Sequence, residues 1–228
     1  MKNLIKRANQ IRKETIGKNA MNIVNGYENK PDYFIEQYTT KNKWTKYVNG
    51  EINREKVIDY AIKRMTERIN KKYDEDLTKI ANVKTATDFT EILILVEWKK
   101  SNLYGYNPTA TVTVFNENNN RTYYGKASGY GYDKESAAIA EALNQSDSVL
   151  KMLYTAADQS EPEYYNSNKT DINYRNAIGY GSGYNYLPYF EGGAGVSCFS
   201  RIFETLGYSF KCTSNDKKFS VYVITKRA

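Results

Sequence analysis

The chain contains no histidine, and this absence excludes more classes of function than any other feature of its composition. Histidine is the usual general base of enzymes and the commonest metal ligand, so Ser-His-Asp catalysis, Cys-His catalysis and most zinc sites are excluded. The run Asp74, Glu75 and Asp76 does not replace it, because three consecutive helical residues point in different directions and cannot converge on one magnesium ion. We therefore predict a non-enzymatic protein without metal or cofactor. An enzyme that uses carboxylates and tyrosine is the alternative.

Cysteines and long apolar segments are also scarce. Cys198 and Cys212 are too few for a disulfide scaffold and do not have the CxxC spacing of a metal site. No apolar run approaches the roughly 20 residues that span a bilayer, and the N-terminus is charged from its second residue, unlike a signal peptide. These absences predict a cytoplasmic protein without a membrane partner.

The positive charge is concentrated at one end of the chain. Of the net charge of +7, all is carried by residues 1–90, with 19 Lys and Arg against 12 Asp and Glu, whereas residues 91–228 hold 14 of each. Basic residues on one module are typical of proteins that bind a polyanion, since contacts to phosphate release condensed counterions. The alternative is a set of solvated, lysine-rich helix faces.

Helical periodicity dominates this basic region, residues 1–89. Leu4, Ile5, Ala8 and Ile11 predict a first helix with a stop at Gly17. A longer helix begins at an Asn53 cap, and its apolar stripe is Ile58, Ile62, Met65, Ile69, Tyr73, Leu77 and Ile80. Basic side chains turned away from that stripe are candidate phosphate contacts: Lys63, Arg64, Arg68, Lys71 and Lys72.

From residue 90 the period becomes that of strands. Segments 91–98, 109–115 and 121–127 predict three strands, the last two forming a hairpin, and Asp133 caps a helix rich in alanine. A further helix around 149–157, a helix closed by Gly207 and a terminal hairpin complete the chain. The predicted fold class is α+β, with a basic helical N-terminal region at 1–89 and a domain at 90–228. That domain has an antiparallel or mixed sheet with helices on one face, in the order α-β-β-β-α followed by α-β-β.

The segment from Gly129 through Gly131 to Lys134 resembles the glycine loop of the double-stranded RNA-binding domain, and the α-β-β-β-α order matches it. The resemblance implies that Lys134 contacts phosphate and that Ala137, Ala142 and Leu143 pack on the sheet. This sequence departs from the family, because Asp133, Glu135 and Ala138 stand where it carries basic residues.

Tyrosine is abundant in the second region, where 16 of the 22 tyrosines follow residue 90. Residues 159–194 form a long segment rich in Tyr, Asn and Gly, and segments of this length in a compact domain commonly bind something or move. Tyrosine stacks on unpaired bases and also anchors protein interfaces. Because residues 91–228 carry no net charge, we favour a protein interface at Tyr184, Tyr186 and Tyr189.

Three stretches resemble a largely uncharacterised family encoded on phages and conjugative elements of Gram-positive bacteria. They are VEWKKS at 96–101, SGYGYDKESAAIA at 128–140 and LPYFEGGAGVSCF at 187–199. Small non-enzymatic proteins of such elements often counter host defence, so the resemblance implies an anti-defence role.

Two functional hypotheses follow besides the enzymatic alternative. The first is a mobile-element accessory protein that binds a host nucleoprotein or defence nuclease, most concretely an anti-CRISPR inhibitor of an effector-guide complex. The second is a general duplex RNA or DNA-binding protein that uses its basic helices and the Gly129–Gly131 loop.

Overall fold

The computed structural model describes residues 1–101, 105–117, 119–127, 133–159, 178–179, 187–193, 195–216 and 218–228. The chain divides into two compact units. Residues 5–79 form what we call the helical unit, and residues 1–4 with the described residues from 80 onward, apart from 181–186, form the sheet unit.

The helical unit is built from parts or all of four helices. They are α1 (Lys2–Asn25), α2 (Tyr33–Tyr38), α3 (Lys41–Val48) and α4 (Arg54–Thr85). The Asn53 side chain accepts a hydrogen bond from the Lys56 amide at 3.0 Å and so caps α4 as predicted. The prediction that Gly17 ends α1 is wrong, because the helix continues to Asn25. One helical glycine costs only about 1 kcal/mol relative to alanine, which the apolar face of α1 outweighs.

The core of the helical unit follows a seam with a spacing of four residues along α4. Its fully buried members on this helix are Val57, Ala61, Met65, Ile69 and Tyr73. Three members of the predicted stripe, Ile58, Ile62 and Leu77, lie half-buried beside this seam. The predicted stripe left out the smaller Val57 and Ala61, and side chains of this size allow neighbouring helices to approach closely.

The sheet unit contains a five-stranded antiparallel sheet in the order β3-β2-β1-β7-β6. Its strands are β1 (Glu91–Ser101), β2 (Gly105–Phe115), β3 (Asn120–Lys126), β6 (Tyr208–Asn215) and β7 (Phe219–Lys226). A separate pair joins β4 (Ile178–Gly179) to β5 (Tyr189–Phe190). The terminal hairpin thus extends the sheet by pairing β7 with β1, and the α+β class is confirmed.

One face of this sheet is covered by helices. Besides the end of α4, the helices among the described residues of this unit are α5 (Lys134–Leu143), α6 (Asp147–Gln159) and α7 (Val196–Thr205). Ile92, Ile94 and Val96 alternate along β1 and are fully buried on the covered face. On the same face α5 packs against β2 and β3 and α7 packs against β6. The opposite face of β1, at Leu93 and Leu95, is half-exposed.

Close backbone approach explains two glycines of this unit. A Cβ atom at Gly125 of β3 would lie 1.9 Å from the Ala138 carbonyl oxygen of α5. A Cβ atom at Gly192 would lie 2.9 Å from the Ala137 Cα atom. Because real Cβ atoms do not approach so closely, α5 packs where it does only with glycine at both positions.

Candidate interaction surfaces

Three of the five basic residues predicted on α4 lie on one side of the helix, and a fourth forms ion pairs with acidic residues. Arg64, Arg68 and Lys71 are exposed and follow one side of the helix at spacings of four and three residues. Lys63 is also exposed, one residue from Arg64 and therefore turned about 100° away. The Lys72 ammonium lies 3.2 Å from the buried Asp76 carboxylate and 3.9 Å from that of Glu75. Lys72 is thus paired within the helix.

The predicted glycine-loop site is described only at its downstream end. Gly129 and Gly131 lie outside the described residues. The Asp133 side chain accepts a hydrogen bond from the Ser136 amide at 2.9 Å, which confirms it as the cap of α5. The Lys134 ammonium donates to the Asn107 side-chain oxygen at 3.1 Å and to the Tyr106 carbonyl at 3.4 Å. A phosphate at Lys134 would compete with these two acceptors, and the phosphate contact stays a prediction.

The glycine-rich chain that leads into α7 is hydrogen-bonded to the first turn of α5. The Ser136 hydroxyl oxygen is fully buried and accepts hydrogen bonds from the amides of Gly193 and Gly195, both at 3.1 Å. The same hydroxyl donates to the Asp133 carbonyl at 3.3 Å. In this part of the molecule the glycine-rich sequence therefore serves packing between α5 and the chain that leads into α7.

Of the three tyrosines predicted at a protein interface, Tyr184 and Tyr186 lie outside the described residues. Tyr189 is half-buried in β5. The next residue, Phe190, is held by the Asn144 side chain, which donates to its carbonyl and accepts from its amide, both at 2.8 Å. Tyr189 is thus presented on a fixed strand, and its interface role stays a prediction.

An open groove in the helical unit was not predicted from the sequence. Its volume is about 740 Å³, within the roughly 300–1,000 Å³ of small-ligand sites. We call it the aromatic groove, and its lining residues are Lys30, Pro31, Asp32, Tyr33, Glu36, Trp44, Tyr47 and Val48. They come from the turn before α2, from α2 itself and from one side of α3. The signal for it was the repeat of Trp44, Tyr47 and Val48 at helical spacing, which a buried helix face would also show.

The charge of Asp32 is compensated within the groove. Its carboxylate accepts a hydrogen bond from the Tyr47 hydroxyl at 2.6 Å and one from the Arg54 side chain at 3.1 Å. The hydrogen bond to Asp32 is the main reason that the pKa of Tyr47 lies above its usual value, with a smaller contribution from burial. Arg54 also donates to the Val24 carbonyl at 3.2 Å and so connects the end of α1 to Asp32 in the groove.

Aromatic rings outside the groove hold Tyr33 in place. Its ring centroid lies 5.6 Å from that of Tyr27 and 5.3 Å from that of Phe34, and Tyr27 and Phe34 are 4.8 Å apart. Tyr27 is 54% exposed and Tyr33 is 40% exposed. Such a cluster fixes the rings against one another while leaving ring surface open to a partner.

The tight turn beneath these rings requires glycine at position 26. Gly26 has a φ of 64°, in the left-handed region, and follows the last residue of α1. A Cβ atom there would lie 2.0 Å from the Pro31 carbonyl oxygen. The backbone bridge between Tyr27 and Lys30 closes the turn above it. Gly26 therefore sets the position of the segment that begins the groove.

The sheet unit has a larger cleft of about 1020 Å³ with mixed charge. Asp88, Asp147, Arg121 and Lys226 are among its lining residues. The Lys151 ammonium lies 2.9 Å from the Asp88 carboxylate and donates to the Ala86 carbonyl at 2.8 Å, so this rim is also internally paired. Within the described ranges, no group of three or more Asp, Glu or Cys side chains is placed to hold a metal ion.

Charge separates the two units. Residues 5–79 hold 17 Lys and Arg and 11 Asp and Glu, an excess of six of the chain's seven net positive charges. The helical unit thus combines the cationic surplus with the aromatic groove.

No protein-family model, curated protein or solved structure matches this chain. The resemblances to the double-stranded RNA-binding domain and to the family of mobile-element proteins therefore rest on the sequence motifs alone. Among the described helices, none has the length and apolar character needed to cross a bilayer.

Proposed function

We propose that this chain is a non-enzymatic accessory protein of a mobile genetic element that binds a host nucleoprotein, in its most concrete form a CRISPR nuclease with its guide RNA. The observation that carries the proposal is that the aromatic groove lies within residues 5–79, which also hold six of the chain's seven net positive charges. A nucleoprotein offers phosphate to the cations and protein or base surface to the aromatic rings. Such a complex acts in the cytoplasm, where we place the protein.

The character of the aromatic groove supports a binding role. Trp, Tyr and Arg are the side chains that most often dominate binding energy, when they lie in fixed positions at the centre of an interface. Trp44 and Tyr33 line the groove, and Arg54 donates a hydrogen bond to Asp32, which also lines it. The inhibitory aspect rests on the resemblance of segments 96–101, 128–140 and 187–199 to the family of phage and conjugative-element proteins.

The experiment is a binding and cleavage-inhibition assay with purified, guide-loaded CRISPR effectors of the host. A Tyr33→Ala, Trp44→Ala double variant is expected to lose about 30-fold or more in affinity, corresponding to about 2 kcal/mol for interface anchors. The matched control is Tyr106→Ala, Tyr124→Ala in the sheet unit, whose side chains are 58% and 60% exposed. If no effector binds, or if both double variants behave like the original chain, the proposal is wrong.

General binding of duplex RNA or DNA is the second candidate, favoured by the exposed row Arg64, Arg68 and Lys71 on α4. Replacing all three with alanine should weaken binding to any duplex and reduce the slope of log K against log salt by about 0.9 for each lost phosphate contact. A variant with Lys13, Lys18 and Lys56 replaced removes the same charge from other exposed positions of the unit. Equal effects of the two triple variants would remove this row from consideration as a specific site.

A further inference from the structure

We infer that the aromatic groove binds single-stranded nucleic acid by stacking unpaired bases on Tyr33 and Trp44. This inference rests on the proposed function and makes it more specific, because it names the component of the nucleoprotein that binds in the groove. Single-strand sites combine aromatic rings on which bases stack with cations that follow the phosphate backbone. The helical unit places both at one groove.

The Tyr33 and Trp44 rings are suited to stacking because both are held in place and both line the groove. Tyr33 is fixed by Tyr27 and Phe34, at centroid distances of 5.6 and 5.3 Å, and keeps 40% of its surface exposed. Trp44 is half-buried against the core of the helical unit and packs at 5.5 Å against Tyr47, whose hydroxyl donates to Asp32. Rings that are already ordered lose little conformational entropy when a base stacks on them.

Cations lie along the edges of the groove. Lys30 lines the groove, and Lys41 lies three residues before Trp44, on the same side of α3. Lys46 lies on the same helix about 200° around its axis from Trp44, on the side away from the groove. All three lysines are exposed, which makes Lys46 a control of equal charge and similar exposure.

Two carboxylates also line the groove, and their states differ. Asp32 is compensated by Arg54 and by the Tyr47 hydroxyl and therefore repels a phosphate weakly. Glu36 is exposed at the rim. The inference consequently predicts that Glu36→Gln strengthens binding of a single strand by a few-fold, because it removes a negative charge near the phosphates. A gain in affinity is a result that misfolding of a variant does not produce.

Unpaired bases fit this groove better than the two other obvious occupants. In a duplex the faces of the bases are covered by their neighbours, so Tyr33 and Trp44 would have no base to stack on. An extended proline-rich peptide also docks on aromatic grooves, but it does not require flanking lysines or an excess of positive charge. Lys30, Lys41 and the excess of six charges on residues 5–79 favour the polyanion.

Tryptophan fluorescence of the full-length chain provides the test. The chain has two tryptophans, so Trp98→Phe leaves Trp44 as the reporter in the groove and Trp44→Phe leaves Trp98 in the sheet unit. Titration with an oligothymidine of about 12 nucleotides should quench Trp44 saturably and leave Trp98 unchanged. The affinity should fall several-fold with Lys30→Gln or Lys41→Gln, remain within about twofold with Lys46→Gln, and rise with Glu36→Gln.

Three outcomes would overturn the inference: no quenching of Trp44 at low salt, quenching of equal strength by a duplex of the same length, or saturable quenching by a proline-rich peptide with none by the oligothymidine. The result is separable from that of the proposed function. If oligothymidine fails while the Tyr33→Ala, Trp44→Ala variant still loses effector binding, the groove contacts the protein component and only the inference fails. If oligothymidine binds but no effector does, the inference stands and the proposed function fails.

Discussion

The two units of this chain differ in where their polar and glycine-rich features are used. In the sheet unit, Ser136 and Asn144 are hydrogen-bonded to neighbouring backbone. The backbone of the edge strand β3 is also bonded by side chains of this unit. Glu141 accepts a hydrogen bond from the Lys126 amide at 2.6 Å. Gln145 donates one to the Tyr124 carbonyl at 2.8 Å. The helical unit differs in that it carries six of the seven net positive charges and has an open groove lined by aromatic side chains. Under the proposed function the sheet unit is the scaffold and the helical unit provides the binding surface.

The largest expected effect is on the scaffold, from Gly125→Ala. The added Cβ atom would lie 1.9 Å from the Ala138 carbonyl oxygen and 2.8 Å from the Ala142 nitrogen, so α5 must move off the sheet. We expect a loss of about 3 kcal/mol in the free energy of unfolding, measured by urea denaturation. Gly17→Ala is the control, because nothing lies within 4 Å of its Cβ position in α1. It should raise the free energy of unfolding by about 0.5–1 kcal/mol.

Gly26→Ala should affect the binding surface with a smaller loss of stability. The substitution conflicts with the φ of 64° and with the Pro31 carbonyl oxygen 2.0 Å from the Cβ position. Because the turn can shift without unfolding the core, we expect about 2 kcal/mol in denaturation experiments. Oligothymidine quenching of Trp44 should be lost at the same time. Retained quenching would show that the turn does not position the groove.

Ser136→Ala tests the contact of α5 with the glycine-rich chain at Gly193 and Gly195. It leaves the amides of Gly193 and Gly195 without the acceptor that both use at 3.1 Å. A buried amide without a partner costs about 1–3 kcal/mol, and relaxation of the loop brings the expected loss to about 1–2 kcal/mol in urea denaturation. Ser200→Ala, at an exposed hydroxyl bonded to Glu204, should change stability by less than about 0.5 kcal/mol. Equal losses would contradict the structural role assigned to this contact.

Acid sensitivity of the sheet unit is the smallest predicted effect. Burial raises the pKa of Asp158, but the amide of Leu4 at 2.9 Å and the N-terminal ammonium of Met1 bond to its carboxylate, and the net pKa lies below the usual value. The stabilisation is therefore present above the unfolded pKa of about 3.9 and is lost as pH falls through the folded value. Asp158→Asn should flatten the decline in unfolding free energy below about pH 4. The same decline of unfolding free energy in the variant and the original chain would contradict a stabilising role of the Asp158 carboxylate.

Local signals predicted most of the elements, since they depend on neighbouring residues. The Asn53 and Asp133 caps, the Thr-Val alternation of 109–115 in β2 and the αL glycine at Gly207 all identified ends or faces correctly. Gly17 misled because packing outweighed its low helix propensity. The position of β7 between β1 and β6 depends on pairing across more than 100 residues, which periodicity does not encode.

The aromatic groove could not be predicted for a related reason. Its walls come from separate segments at 30–36 and 44–48, and their approach is set by the Gly26 turn and by Asp32 bonding to Tyr47 and Arg54. In sequence, Trp44 and Tyr47 are indistinguishable from core residues of a short helix. The basic row on α4 and the i,i+4 spacing of Lys72 and Asp76 were visible in the sequence, whereas the burial of Asp76 was not.

Hydrogen exchange of the full-length chain with and without a guide-loaded effector tests the central claim most directly. The account predicts that slowed exchange on binding is confined to the helical unit and is strongest at residues 27–48, with the exposed row of α4 as a second region. Protection of the sheet unit without any change in residues 5–79 would contradict the assignment of binding to the helical unit.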